Sequence, residues 1–278
     1  MSPPSDNARI QAILASGIKI PPLPEVLLKV QALAQDPDAG IGDIADLIRK
    51  DGAMSGAVLR VVGSPVFGLR TRVETPERAV TLLGVPPTLA ILRGIALRNA
   101  LHDPVSQAAL EVLWQRSGHI AQRAMALARH LRGQGISPDQ AYTLGMFHDC
   151  GLALAIKRFP AYGKALAGPD WPDIPALDQA HDTDHALLGG MVARNWQLPE
   201  GIALAIHHHH QPGADLPPDI ARLTAVLNLA CQLQALASGT RDPGWEAGWK
   251  TVAMEHLGLN EDAIADLARE NEAALETD

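Results

Sequence analysis

The stretch Tyr142 to Ile156, YTLGMFHDCGLALAI, sets an adjacent His148-Asp149 pair inside an otherwise apolar helical run, and the fold is read outward from it. Charge in such a run needs a partner. A buried carboxylate is tolerated when it is paired, hydrogen-bonded or coordinated, and a neighbouring imidazole makes a divalent metal one candidate. Asp149 as an anchor for an adjacent helix, with His148 a satisfied core histidine, is the other. Upstream, Ser137-Pro138-Asp139-Gln140 supplies an N-cap, a proline at the first helical position and a capping-box glutamine. The helix is therefore expected to start there, carry the pair near its C-terminal end and break at Gly151.

Before that run, Pro21-Pro22-Leu23-Pro24 launches a helix striped with Leu23, Val26, Leu27, Val30, Leu33 and Ala34, which ends at the Asp36-Pro37-Asp38 turn. Short helices follow around Ile44 to Ile48 and Met54 to Val62, closed by Gly63-Ser64-Pro65. Thr75-Pro76 and Gly84 bracket another, and Pro86-Pro87 begins one that runs towards Leu101. Asp103-Pro104 marks a boundary, beyond which a long periodic run extends to Leu131. After the His148 helix comes a Gly/Pro-rich connector, Ala167 to Pro175, then helices over Asp182 to Asn195, from Pro199 into His207-His208-His209-His210, over Pro217 to Leu236, Glu246 to Leu257 and Glu261 to Leu275. About a dozen helices and no period-two strand give an all-α, multi-helical fold. The expected organisation is an N-terminal helical subdomain, residues 15–103, packed on a helical domain, residues 104–236, with a C-terminal extension, residues 237–278.

Composition bounds the function. The 278 residues are 47% hydrophobic and 19% charged, an ordinary globular balance, and 3 Phe, 2 Tyr and 5 Trp leave Ala, Leu, Ile and Val to build the core. A net charge of -8 without a dense Lys/Arg run argues against general nucleic-acid binding. MSPPSDNARI lacks the pattern of a signal peptide, and no uninterrupted apolar run approaches about 18 residues, so a cytoplasmic protein without a membrane span is expected. Cys150 and Cys231 are read as reduced buried thiols. His148-Asp149, His185 and the histidines at 207–210 are suitable ligands for Fe, Mn or Zn, and two such ions could activate water against a phosphodiester. Consecutive helical residues step by about 100°, so at most two of those four histidines can face one pocket.

The ordered segments resemble the HDOD domain, a relative of the HD and HD-GYP phosphohydrolases. Ile20 to Val26, Asp36-Pro37-Asp38, Ile44 to Asp51, Val58 to Leu69 and Ala79 to Gly84 are similar to its N-terminal half. Leu113-Trp114 with Ser117, Gly145 to Gly151, Asp184-His185 with Gly189, Trp196 to Pro199 and His208-His209 are similar to its HD-related half. The resemblance implies an all-helical bacterial signalling or regulatory protein that does not turn over substrate. It also implies two vacated ligand positions: Arg116 stands where HD enzymes place a histidine, and Cys231 where they place an aspartate. Leu152 replaces the lysine that HD-GYP proteins carry. Arginine is permanently charged and cannot ligate a metal, so a salt bridge from Arg116 to Asp149 is expected to fill the site.

The degenerate pocket is thus assigned to Arg116, His119, His148, Asp149, His185, His208, His209 and Cys231, without catalytic residues and without a cofactor. If a divalent metal such as Mn, Fe or Zn binds, its ligands are expected to be His148, Asp149, His185 and one of His208 or His209, with His208 taken as the fourth. His119, one turn beyond Arg116, and Cys231 as a thiolate are the two routes by which a ligand could return. The expected function is a non-catalytic module acting on signalling partners, through protein contacts or ligand sensing, and compatible with homo-oligomers. The alternatives are a metal-dependent phosphohydrolase of cyclic dinucleotides or nucleotides, and a structural subunit with an acidic tail.

Overall fold

The computed structural model describes residues 6–15, 17–63, 73–131, 133–168 and 170–276; Ser64-Pro65 and the end of the Val58 to Leu69 segment lie outside them. Within them the chain is helical and has no strand. Its contacts divide into two compact units: Leu23–Ala100 with Arg269–Asp278, and Met1–Pro22 with Leu101–Ala268. Residues 237–268, read from sequence as an extension, thus share a unit with the His148-Asp149 helices.

The smaller unit contains α2 (Glu25–Gln35), α3 (Ile41–Arg49), α4 (Gly52–Val62), α5 (Pro76–Leu83) and α6 (Val85–Ala100). Its apolar stripes meet in a core of Leu27, Val30, Ile44, Ile48, Val58, Val80, Leu92 and Leu97, each at most 2% exposed. Its punctuation is local: the Thr75 hydroxyl accepts from the Arg78 amide, and Gly84 takes φ 81°, a left-handed turn that lets α6 leave α5.

The larger unit begins with α1 (Asp6–Ala15), held by the buried Ile13. It continues with α7 (Gln107–His130), α8 (Pro138–Phe147), α9 (Cys150–Arg158), α10 (Pro160–Leu166), α11 (Ile174–Ala180), α12 (His185–Asn195), α13 (Glu200–His208) and α14 (Pro218–Ala237). A π-helical turn, Trp245–Trp249, leads into α15 (Lys250–Leu257), and α16 (Glu261–Glu276) starts in this unit, its residues from Arg269 onward being counted with the smaller one. The short α11 and the start of α12 at His185 refine the sequence reading, which ran the connector to Pro175 and began the next helix at Asp182. By length and composition α14 could cross a membrane, but 67% of its apolar window is buried inside the fold, as in a core helix. At two glycines the helices approach backbone to backbone. A Cβ on Gly145 would sit 2.6 Å from the Ala121 Cα, and one on Gly151 would sit 2.0 Å from the His185 carbonyl.

Candidate functional site

The Ser137 hydroxyl accepts from the Gln140 amide, starting α8 as expected, but the helix stops at Phe147. His148 is its C-cap and Asp149 is the N-cap of α9. The break therefore precedes Gly151, whose part is to let α9 lie on α12. Asp149 makes no capping bond to its own helix. With φ -99° and ψ 13° its carboxylate turns inward, where it is 4% exposed.

Around that carboxylate the imidazoles are held by the same device. His148 Nδ1 bonds the Gly145 carbonyl at 2.8 Å, and His209 Nδ1 bonds the Ile206 carbonyl at 2.6 Å. A carbonyl only accepts, so each Nδ1 carries hydrogen and each Nε2 points towards Asp149. His148 Nε2 is 3.0 Å from Oδ2 and His209 Nε2 is 3.4 Å from Oδ1, both buried and neither in a well-directed hydrogen bond. His185 Nε2 lies 3.5 Å from Oδ1, while its Nδ1 meets Asp178 Oδ2 at 2.6 Å. Asp178 also accepts from the His185 amide and, through Oδ1, from the Tyr162 hydroxyl at 2.5 Å. His210 Nε2 closes the ring 3.0 Å from His185 Nε2.

The charge state follows from this packing. Burial opposes an imidazolium at His148, but Asp149 and the adjacent Cys231 outweigh it and push the pKa up to about 10. At His185, burial is overcome by Asp149 and Asp178, giving about 9. Burial, with the cationic neighbours, lowers His209 and holds His210 well below the usual range. Burial works against the Asp149 anion too, yet His148, His185 and His209 keep it well below the normal carboxylate range. At neutral pH, in the absence of metal, the nest is one carboxylate between two imidazoliums and two neutral imidazoles.

Arg116 stands at the edge of this nest, its Nη1 3.5 Å from Asp149 Oδ2 and its guanidinium 4.1 Å from the Trp171 ring centroid. Nη2 is 4.0 Å from Asp242. The expected pairing with Asp149 is present, at a distance longer than the about 2.7–2.9 Å of a tight charge-assisted bond. Cys231 is buried beside His148. His119 is exposed and lines an outer cavity with Arg116, so a shifted register of α7 does not bring it into the nest. His208 also turns away, bonding Gln211 Oε1 at 2.8 Å.

This corrects the ligand set read from sequence. Asp149, His185, His209 and His210 present donor atoms within 4.8 Å of one another; His208 is replaced by His209 and His210, and His148 stands outside the four. The four fit one divalent ion of the Fe, Mn or Zn kind, because the lone pairs converge and Asp178 orients His185 from behind as an outer-shell carboxylate does. Such an ion would supply Lewis acidity. A filled set of three imidazoles and a carboxylate resembles closed structural sites more than open hydrolytic ones.

Residues 20–212, a span that includes the nest from Arg116 to His210, match the HDOD domain family. The chain belongs to the HDOD domain family. An uncharacterized protein of Treponema pallidum (strain Nichols) is 28% identical over 211 residues, which is 74% of this chain and 40% of that protein. This HDOD chain therefore spans less than half the length of that curated relative. Among solved structures, an HDOD domain protein of unknown function from Geobacter sulfurreducens is 21% identical, with TM-score 0.68 over 96% of this chain and 95% of its own. A Marinobacter aquaeolei VT8 protein, provisionally named a signal transduction protein, is 23% identical, with TM-score 0.71 over 97% and 64%. A Shewanella amazonensis SB2B protein, provisionally named a metal-dependent phosphohydrolase, is 18% identical, with TM-score 0.68 over 97% and 98%. At these identities the likeness is one of fold.

Sequence reasoning missed Asp178, Tyr162, Trp171 and Asp242, and left His210 out of the pocket. Of these only Trp171, an isolated indole in the Gly/Pro-rich connector, carried a visible signal. Asp178 and Asp242 lie in segments whose spacing to His148 has no meaning until the helices pack.

Proposed function

We propose that this HDOD chain is a non-catalytic signalling module acting in bacterial signal transduction in the cytoplasm, with the His148-Asp149 nest as a buried polar keystone. One observation carries this reading: the Arg116 guanidinium stands between Asp149 and the neighbouring cavity, and that cavity stops at Arg116 without reaching Asp149. His148, Asp149, His185 and His209 are each at most 4% exposed. A phosphodiester would need an open coordination position and a route to it, and a second cavity, of about 360 Å³, borders His185 and the exposed His210 but is not lined by Asp149. The provisional signalling name of the Marinobacter protein fits the same reading. Output would then pass through contacts with signalling proteins or a second copy of the chain.

Metal content of the purified protein, measured together with hydrolysis of bis-p-nitrophenyl phosphate and cyclic dinucleotides in Mn or Fe buffer, tests this. No turnover above buffer is expected. Stoichiometric metal with turnover abolished by Asp149→Ala would overturn it.

A second reading has its own support. The converging donor atoms of Asp149, His185, His209 and His210 favour a single metal site, in which an ion would take the place of the His185 imidazolium proton and lock α9, α12 and α13 together. Its signature would be a chelator-sensitive melting temperature without turnover.

A further inference from the structure

Outside the nest, a cavity of about 330 Å³ opens between α7, the Trp171 loop and the segment that follows α14. That is the low end of ordinary small-molecule pockets. Its walls are of two kinds. Arg116 and Arg241 contribute guanidiniums, whereas Trp171, Val112, Ala235 and Pro243 contribute apolar surface. Val112 is 40% exposed, and Trp171 is the one partly exposed tryptophan, the other four being at most 7% exposed.

Arg116 is underused by the protein. A guanidinium has five donors in a planar fork suited to an oxyanion, and here the nearest carboxylate oxygens stand off at 3.5 and 4.0 Å. Stacking on Trp171 fixes its plane and leaves its edge free to bond. Arg241 is exposed on the same wall and makes no ion pair among the described residues. Asp242 is held in place, its amide donating to Gln232 Oε1 and its Oδ1 accepting from the Gly244 amide. Asp170 and Asp242 lie in the same wall, so the ligand must also present hydrogen-bond donors.

We propose that this cavity is a binding site for a small organic anion, a phosphate or carboxylate compound bearing hydroxyl groups, with its charged end on Arg116 and Arg241 and its body against Trp171. The site deepens the non-catalytic reading and rests on it: Arg116 becomes the shared element of ligand cavity and nest, able to report occupancy to Asp149 at the α8–α9 junction. Binding and turnover are read separately, so one can fail while the other stands.

The experiment uses the full chain and three probes, inorganic phosphate, glycerol 3-phosphate and malate, followed by tryptophan fluorescence and calorimetry. At least one hydroxylated probe is expected to bind saturably with Kd at or below roughly 1 mM and to bind more tightly than inorganic phosphate. Arg241→Ala, an exposed position that leaves the core intact, is expected to weaken it at least about 10-fold. Trp171→Phe is expected to abolish the optical signal while calorimetry still detects binding. Glycerol 3-phosphate and malate of equal affinity would support a site for hydroxylated anions of either kind, and preference for one assigns the source; inorganic phosphate binding as tightly as both would overturn the requirement for hydroxyl groups. Absence of saturable heat with all three probes, or an Arg241→Ala affinity equal to wild type, would overturn the proposal. Hydrolysis of a phosphodiester by the same preparation would overturn the non-catalytic reading and leave the binding result to be judged alone.

Discussion

Replacing Asp149 by Asn in chelator-treated protein removes the one negative charge that the nest is built around, at nearly constant volume. The carboxylate it replaces is 4% exposed and faces His148 at 3.0 Å, His209 at 3.4 Å, and His185 and Arg116 at 3.5 Å. Removing one partner of a buried ionic group typically costs about 3–5 kcal/mol, because the remaining charges stay desolvated. His148 and His185 can shed their protons and Arg116 cannot, which places the expected loss in the lower part of that range at pH 7 and makes the arginine the residual burden. For a unit of this size each kcal/mol moves Tm by about 2–4 °C, so a loss of about 3–4 kcal/mol is expected to lower Tm by about 6–16 °C in thermal melts. Adding Arg116→Met to Asp149→Asn should restore about 1–2 kcal/mol, a coupling that urea denaturation of the four proteins in the cycle measures. A loss under about 1 kcal/mol, or additive single substitutions, would refute the idea that Asp149 and Arg116 share a buried ionic core.

The nest also sets a pH dependence. His148 and His185 have folded pKa values near 10 and 9, above the about 6.5 of an unfolded histidine, so their contribution is fully present below about pH 6.5 and is lost as pH rises towards 9–10. The Asp149 pKa is depressed, so its contribution is present above about pH 4 and is lost on acidification. Wild-type urea midpoints should therefore fall between pH 6.5 and 9.5, and Asp149→Asn should flatten that slope. Gly151→Ala would place a methyl 2.0 Å from the His185 carbonyl and is expected to cost about 3 kcal/mol or more, whereas Gly118→Ala, with open space around it in α7, should stabilise by about 0.5–1 kcal/mol; denaturant titration separates them. Asp178→Asn weakens the outer support of His185, and its imidazole resonance in NMR should titrate at lower pH than in wild type. Arg116→His removes the fixed cation at the edge of the nest and should raise zinc or manganese content on metal analysis; unchanged content would show that Arg116 does not govern ion access.

Much of the fold was legible because its signals are local. Ser137-Pro138, Thr75-Pro76 and Gly84 act within one turn of the residue that carries them, and the apolar stripes of α2 and α7 repeat at the helical period. The pairing of Arg116 with Asp149 was readable only through the resemblance to the HDOD domain, which places position 116 beside the HD pair; a fixed cation next to a buried carboxylate then has few other ways to be satisfied.

What the sequence could not decide was which histidine faces inward. His207 to His210 are chemically identical, and the end of α13 after His208 is set by packing: the Ile206 carbonyl captures His209 Nδ1, Gln211 draws His208 outward, and His210 swings back to His185. The same holds for Asp178, which meets His185 only once the α11–α12 turn brings them together, and for Asp242, which approaches Arg116 only when the chain returns beyond α14. By itself the sequence determined an all-helical chain with one His-Asp pair set in an apolar helical run, because helix signals and charge are properties of neighbouring residues. Only the tertiary structure decided the tautomers, the ligand set and the cavity at Arg116, because those depend on distances between atoms that the chain separates by tens of residues.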